Sequence, residues 1–170
     1  AQAHQPSLAD LDKVVDNPTI SQAIYGEFET GDEVYTVHLT YETGWAQPFE
    51  LMVPHKNKQR DHRPMFAVIG PGLPPALADE LALLPDDVTI PAGAVMYLER
   101  HDDEDRRVIF EGFTRRIFWS SGPIALALQP GDTEVVIWSP EGTTGEFVLG
   151  FGVEEDFSDG FGHVFEDWGD

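Results

Sequence analysis

The sequence predicts an all-β fold, an antiparallel, jelly-roll-like β-sandwich with one or two short helices. The main observation is in residues 107–151, where short apolar runs alternate with turns that contain Gly and Pro. Strands of about five residues that recur about every ten residues are typical of sandwiches and barrels. The second observation is the alternation of apolar and polar residues over 34–41, which indicates a strand with one face in the core.

Composition divides the chain into three segments. Residues 1–20 form a polar N-terminal arm, residues 21–152 the sandwich domain, and residues 153–170 an acidic tail with four aromatic residues. In the tail, the spacing of Phe157, Phe161, Phe165 and Trp168 fits a helix face, but glycines disfavour a helix there. We therefore expect these aromatics to fold back over an edge or an open end of the sandwich.

Two conformations are compatible with the arm. Apolar residues recur at helical spacing behind Ser7, which is a residue type that caps helices, and Asn17-Pro18 would end such a helix. The alternative is an extended arm. The apolar residues at helical spacing are Leu8, Leu11, Val14 and Val15.

The first part of the sandwich domain begins with two predicted strands, residues 21–28 and 34–41, joined by a turn at Gly31-Asp32. Successive side chains of a strand point to opposite faces. The core face of the second strand is therefore predicted to carry Tyr35, Val37, Leu39 and Tyr41.

The middle of the chain mixes short strands with charged loops. Residues 55–63 contain four of the ten Lys and Arg residues and predict a solvated loop, and residues 99–107 predict a charged hairpin loop. Residues 76–84 have helical composition and end at Pro85. The remaining predicted strands are residues 49–53, 65–69, 88–90, 94–98, 108–110, 113–119, 123–129, 133–139 and 146–151.

The charge of the chain restricts its partners. There are 10 Lys and Arg residues against 31 Asp and Glu, which gives a net charge of −21. Such a surface repels nucleic acid and anionic membranes. Either a marine or halophilic habitat or a functional cation-binding surface would explain the acidity. The absence of cysteine excludes disulfides, and no apolar run is long enough to predict a membrane span.

The N-terminal sequence predicts export. Ala1-Gln2-Ala3 has the small-residue pattern that precedes signal-peptidase cleavage. A cut after Ala3 would make His4 the first residue, whereas a cut upstream would leave Ala1 first. In both cases we expect a secreted or periplasmic protein.

Four strand segments, in two pairs, carry a family resemblance. Gly26-Glu27-Phe28 leads through an acidic turn into a Tyr-centred strand at residues 31–37, and an apolar run at residues 133–138 is followed by a second run at residues 145–149 near the end of the domain. These segments resemble the opening and the final hairpin of bacterial pre-peptidase C-terminal domains, over about a third of the chain. The resemblance implies a jelly-roll-like sandwich with an extracytoplasmic accessory or binding role, and it implies no catalytic residues.

This sequence also departs from that family. Phe147 stands where the family usually has Tyr, and residues 54–106 are longer and richer in Pro and charge than the corresponding part of the family.

Candidate metal sites are of two kinds. The acidic run at residues 101–105 suits Ca²⁺, which prefers six to eight oxygen ligands; the candidate ligands are His101, Asp102, Asp103 and Asp105. A solvated run neutralised by the flanking arginines is the alternative. If His4 is the first residue, its amine and ring would bind Cu²⁺ with a second histidine such as His38, His101 or His163.

The function predicted from these features is a non-enzymatic binding or accessory module whose partner is an extracellular protein or a glycan. Trp45 follows a loop glycine and is the candidate exposed ring for a ligand. The alternative is a metal-binding protein with Ca²⁺ or Cu²⁺, and a weaker alternative is a hydrolase on the same scaffold. No nucleophile motif of the G-x-S-x-G type occurs, and no other cofactor is predicted.

Overall fold

The computed structural model describes residues 5–8, 12–15, 18–19, 22–76, 78–88, 95–100, 106–111, 115–120 and 122–151. Its strands, in chain order, are β1 (Gln5–Leu8), β2 (Asp12–Val15), β3 (Gln22–Phe28), β4 (Val34–Tyr41), β5 (Trp45–Pro54), β6 (Met65–Gly70), β7 (Val95–Arg100), β8 (Arg107–Glu111), β9 (Arg116–Ser120), β10 (Ile124–Leu128), β11 (Gly131–Trp138) and β12 (Gly145–Phe151). A short helix, α1 (Ala78–Leu81), and a 3₁₀ turn at Asn57–Gln59 complete the elements.

These strands form two sheets. The first has the order β1-β3-β12-β5-β9-β8, with β10 paired to the N-terminal half of β5, and the second has the order β2-β4-β11-β6-β7. Side chains from both sheets share one large core, which contains Phe28, Phe49, Phe66 and Phe147 among others. The predicted all-β sandwich is therefore confirmed.

The arm adds one edge strand to each sheet. β1 pairs with β3 and β2 pairs with β4, and both pairs are parallel, whereas the other pairs described are antiparallel. The described part of the arm is thus extended and not helical. The free backbone groups at the edges of β3 and β4 offer the arm hydrogen-bond partners, which outweighs the weak helical spacing of its apolar residues.

Burial follows the predicted alternation. Tyr35, Val37, Leu39 and Tyr41 of β4 are buried in the core between the sheets, as expected. β6 is buried at every position because its other face is also covered. Met65, Ala67 and Ile69 form a second apolar cluster there, and the half-buried apolar side chains packed against it include Ala76, Leu83, Leu84 and Val88.

Two predicted hairpins are wrong. β7 pairs with β6 in the second sheet and β8 pairs with β9 in the first, so they are not the two strands of the hairpin expected around residues 99–107. β11 and β12 also lie in different sheets, so they do not form the final hairpin that the family resemblance implies.

Three further predicted elements differ from the structure. The helix expected over residues 76–84 is limited to α1, since the residues that flank it pack irregularly on the second sheet. Val88 is not in a strand, and the rest of the strand expected at 88–90 lies outside the described residues. The loop at residues 55–63 is not fully solvated, because Gln59 and His62 are each only 2% exposed.

No helix in the part of the chain that the structure describes is both long and apolar enough to cross a membrane.

The acidic turn between β3 and β4 is held by one carboxylate. Glu33 accepts hydrogen bonds from the backbone N–H groups of Glu29, Thr30 and Gly31, with the Gly31 nitrogen 2.8 Å from Oε1. Burial alone would raise the pKa of Glu33, but these donors outweigh it and lower the pKa to about 2. The carboxylate therefore stabilises this turn at neutral pH.

Gly31 also brings this turn against the turn between β11 and β12. Its φ is +87°, and a Cβ at this position would lie 2.1 Å from the backbone oxygen of Gly142. Gly142 has a φ of +69°, but a Cβ there would meet no atom within 4 Å.

We expect Gly31→Ala to destabilise the protein far more than Gly142→Ala. A left-handed backbone costs an alanine about 1–2 kcal/mol at either position, but only Gly31→Ala adds a backbone clash, for a total loss of about 3 kcal/mol or more. Urea unfolding followed by tryptophan fluorescence measures both variants. Equal losses of unfolding free energy in the two variants would contradict the close packing of these turns.

Candidate functional site

Most of the sequence-predicted metal ligands lie outside the described residues. This applies to His4 and to His101, Asp102, Asp103 and Asp105, as it does to the tail over residues 153–170. The Ca²⁺ and Cu²⁺ sites therefore stay predictions. Within the described ranges, no group of three or more His, Asp or Glu side chains is arranged to hold a metal ion.

His38, considered above as a second copper ligand, faces two carboxylates. Its Nε2 contacts Asp12 on β2, and its Nδ1 lies 3.4 Å from Oε1 of Glu134 on β11. Both ring nitrogens thus have partners that link three neighbouring strands of the second sheet.

Trp45 is the first residue of β5 and is half-buried. It pairs with Leu128 of β10, and its ring packs against the main core. Its indole Nε1 is buried and makes no hydrogen bond to the residues that the structure describes. Its role in ligand binding stays a prediction.

The candidate functional site is at one end of the sandwich, which we call the basic end. It consists of the loop at residues 55–63 together with Arg106, Arg116 and Trp119. The loop leaves β5 alongside β9, where the His55 N–H donates to the Ile117 carbonyl at 2.8 Å, and it returns to the sheet at β6.

The buried side chain of Gln59 anchors the loop. Its Oε1 accepts the Glu146 N–H at 2.5 Å, and its Nε2 donates to the Pro54 carbonyl at 3.3 Å. Gln59 therefore connects the loop to the start of β12 and to the end of β5 at once. A charged run that would otherwise be free in solvent acquires a fixed conformation.

His62 is the second buried anchor. Its Nδ1 lies 2.9 Å from the Thr143 Oγ1, and its ring packs edge-on against Phe28 with centroids 5.5 Å apart. The close approach depends on Gly145, where a Cβ would lie 2.7 Å from the His62 Cδ2. Burial, followed by the charges of Arg106 and Arg63, lowers the pKa of His62 to about 4, so the ring is neutral at pH 7.

Arg106, the residue before β8, binds the backbone of the loop. Its guanidinium donates to the carbonyls of Arg60 and His62, both at 2.9 Å. The same guanidinium lies 4.4 Å from the centre of the Trp119 ring, a cation–π contact. The His55 ring also packs against Trp119, with centroids 4.3 Å apart.

The basic end concentrates the positive charge of an acidic protein. Of the ten Lys and Arg residues, four lie in residues 55–63 and four in residues 106–116. Lys56 and Arg116 both approach Oε2 of Glu146, at 2.8 and 3.6 Å. The hydrogen bond from Lys56, together with the charges of Lys56, Arg116 and Lys58, outweighs desolvation and lowers the pKa of Glu146. Both His62 and Glu146 thus experience a positive local potential.

Two exposed residues on the loop extend this potential to the surface. Lys58 and Arg60 are both exposed. On the neighbouring hairpin, Arg115 adopts a φ of +55°, the one positive φ of a non-glycine residue among the described residues. Such a backbone is unfavourable for an L-residue.

A buried Glu–Ser pair was not predicted from the sequence. Ser120 of β9 donates to Oε1 of Glu50 on β5 at 2.6 Å, and burial raises the pKa of Glu50 although this hydrogen bond opposes the shift. Ser120 is 0% exposed, so a substrate cannot reach its Oγ in this structure. Glu50 and Ser120 lie in ordinary strand segments far apart in the sequence, so no sequence pattern predicts that they form a pair.

Comparison with known proteins gives a likeness of fold. No family model matches the chain, and no curated protein matches it. Among solved structures, it is similar to the pre-peptidase C-terminal domain of collagenase from Bacillus anthracis, with 9% identity and a TM-score of 0.40 over 89% of this chain and 98% of that one. The domain type that the sequence motifs resemble is thus a structural neighbour, at low sequence identity.

Two further neighbours are similar at the same level. CorA, a surface-associated copper-binding protein of Methylomicrobium album BG8, has 8% identity and a TM-score of 0.36 over 86% of this chain and 100% of that one. PliG, a periplasmic inhibitor of g-type lysozyme from Salmonella Typhimurium, has 8% identity and a TM-score of 0.34 over 88% of this chain and 98% of that one. At these identities the likeness concerns the fold alone.

We expect the burial of neutral His62 to make stability depend on pH between 6.5 and about 4. In this window the unfolded chain binds a proton at His62 that the folded protein does not, so the unfolding free energy falls as the pH falls. Urea unfolding at a series of pH values measures the slope. His62→Gln is expected to reduce it relative to the unmodified protein.

Thr143→Val is the matched control, since it removes the hydrogen-bond partner of His62 but leaves the titrating ring. It is expected to lower stability at every pH and to keep the slope. An unchanged slope in His62→Gln would contradict the assignment.

Proposed function

We propose that this protein is an exported, non-catalytic β-sandwich module that docks a partner protein outside the cytoplasm through its basic end. The observation that carries the proposal is the clustering of basic residues. A chain with a net charge of −21 has eight of its ten Lys and Arg residues in two segments, and Arg106 and Arg116 bring the second segment against the first through the carbonyls of Arg60 and His62 and through Glu146. The partner is expected to present a discrete acidic patch.

The acidic surface outside the basic end favours a partner whose own acidic patch is small. An extended polyanion would reach beyond the basic end and meet the acidic remainder of the molecule, which repels it. Charges on a protein surface act over about 8 Å at physiological salt. A folded partner with an acidic patch of matching size gains the attraction without that repulsion.

The rigidity of the loop supports the same function. Gln59, His62 and Arg106 fix the loop backbone, so Lys58 and Arg60 project from a defined frame. A binding loop that is ordered before it meets its partner loses less conformational entropy on association. The burial of Ser120 and the absence of a nucleophile motif support a binding role over a hydrolase.

Ca²⁺ at residues 101–105 and Cu²⁺ at His4 stay alternative proposals. Metal content and intact mass, measured together on tag-free protein processed by its own export signal, test both. Stoichiometric Ca²⁺ would favour the acidic loop, and copper with His4 as the first residue would favour the N-terminal site.

We expect an octaglutamate peptide to bind the protein at low salt and to bind the double variant Lys58→Gln/Arg60→Gln at least about 10-fold more weakly, because two of the exposed charges are lost. Fluorescence anisotropy of a labelled peptide measures the affinity. Lys13→Gln is the matched control for each single variant, Lys58→Gln and Arg60→Gln, because it also removes one positive charge, but on β2 and outside the basic end. Its affinity for the peptide is expected to stay within about 2-fold of that of the unmodified protein.

Two results would count against the proposal. Equal binding by the double variant and by Lys13→Gln would show that the basic end is not the docking surface. Tighter binding of polygalacturonate than of the peptide would make an acidic glycan, and not a protein, the partner class.

A further inference from the structure

A second surface is defined by the outward side chains of the first sheet. Phe118 and Met52 are each 1% exposed and Val148 is 4% exposed, and together with Ala23 they form an apolar cluster. Tyr25 and Ile109, both half-buried, pack against it. We call this set the outer face of the first sheet.

These side chains point away from the core between the sheets. Along β5, Phe49 and Leu51 belong to the main core and Met52 does not, and along β12 the same holds for Phe147 and Leu149 relative to Val148. Because successive strand residues point to opposite faces, Met52 and Val148 must lie on the outside of the sandwich.

The face is inaccessible, yet the described apolar side chains that form its cluster all belong to the sheet itself. Every described member of the cluster belongs to β3, β5, β8, β9 or β12. On the second sheet, by contrast, the segment around α1 packs on the outward cluster of Met65, Ala67 and Ile69. Side chains that point outward from the same sheet cannot shield each other's outer ends from solvent. A further segment of chain must therefore lie on the outer face.

We infer that the C-terminal segment, residues 152–170, packs on the outer face of the first sheet. It continues directly from β12, which lies between β3 and β5 near the middle of that face. With 19 residues it is about three times as long as any other segment outside the described residues, of which the longest are 89–94 and 101–105, and it alone among them has several aromatic residues. An extended chain of this length reaches about 60 Å, whereas five strands at about 4.8 Å spacing are about 20–25 Å wide.

The composition of the segment matches the surface. Phe157, Phe161, Phe165 and Trp168 supply the apolar area that the cluster of Met52, Phe118 and Val148 requires. The segment also carries seven carboxylates and no Lys or Arg. Arg116 lies two residues before Phe118 on the same side of β9, so the basic end borders this face and attracts an acidic segment.

Methionine oxidation tests the inference, because the outward cluster of each sheet contains a methionine. Met52 belongs to the outer face of the first sheet, and Met65 is 2% exposed on the second sheet, where the segment around α1 packs. We expect a chain that ends at Gly152 to oxidise Met52 at least about 10-fold faster in hydrogen peroxide, with Met65 unchanged. Peptide mass mapping gives the two rates in one sample.

Composition variants separate the apolar from the charged contribution. Replacing the four tail aromatics by Ser is expected to expose Met52 as truncation does, whereas replacing the seven tail carboxylates by their amides is expected to leave Met52 largely protected. An unchanged Met52 rate in the truncated chain and in the aromatic variant would overturn the inference.

A cross-link in the intact chain remains decisive if the truncated chain unfolds, which equal oxidation of Met52 and Met65 would reveal. With p-benzoylphenylalanine in place of Phe161, irradiation of the monomer is expected to link the tail to β5, β9 or β12. Cross-links to the second sheet, or between two molecules, would overturn the inference.

Discussion

The hydrogen bonds of the Gln59 amide decide whether this molecule has an ordered basic end. One side chain satisfies a backbone donor at the start of β12 and a backbone acceptor at the end of β5, and it does so in a site closed to water. Buried polar groups are costly when they lose a partner, so the three chain segments are coupled. His62 and Arg106 add contacts that depend on the loop being where Gln59 holds it.

Much of the fold was predictable because its determinants are local. The alternation over β4 and the spacing of turns from β8 to β12 identify most strands, and a strand needs only one apolar face and a turn at each end. The parallel pairing of β1 and β2 was not predictable, since it depends on which sheet edges the arm meets. The burial of Gln59 and His62 was not predictable either, because both lie in a run of charged residues. It depends on residues distant in sequence: Gly145, which has no side chain to clash with them, and Phe28, which packs against the His62 ring.

The net charge of the chain does not show where its basic residues lie in the folded protein. A net charge of −21 suggests an acidic surface throughout, which favours cations as ligands. Folding instead brings residues 55–63 beside Arg106 and Arg116, so most of the basic residues are gathered in one region of an acidic protein. Such a charge distribution orients the protein in the field of a partner before contact, which affects the association rate more than the final affinity.

The two parallel edge strands have a consequence for how copies of this chain interact. A single arm closes one edge of each sheet through β1 and β2, and these strands belong to the arm and to no hairpin. Such an arm can be exchanged for the identical arm of another molecule, because the edge pairing, the contact of Asp12 with His38 and the core position of Val15 would all be reproduced. The architecture is thus compatible with domain swapping at high protein concentration, and removing the arm would leave the edges of β3 and β4 open to strand addition.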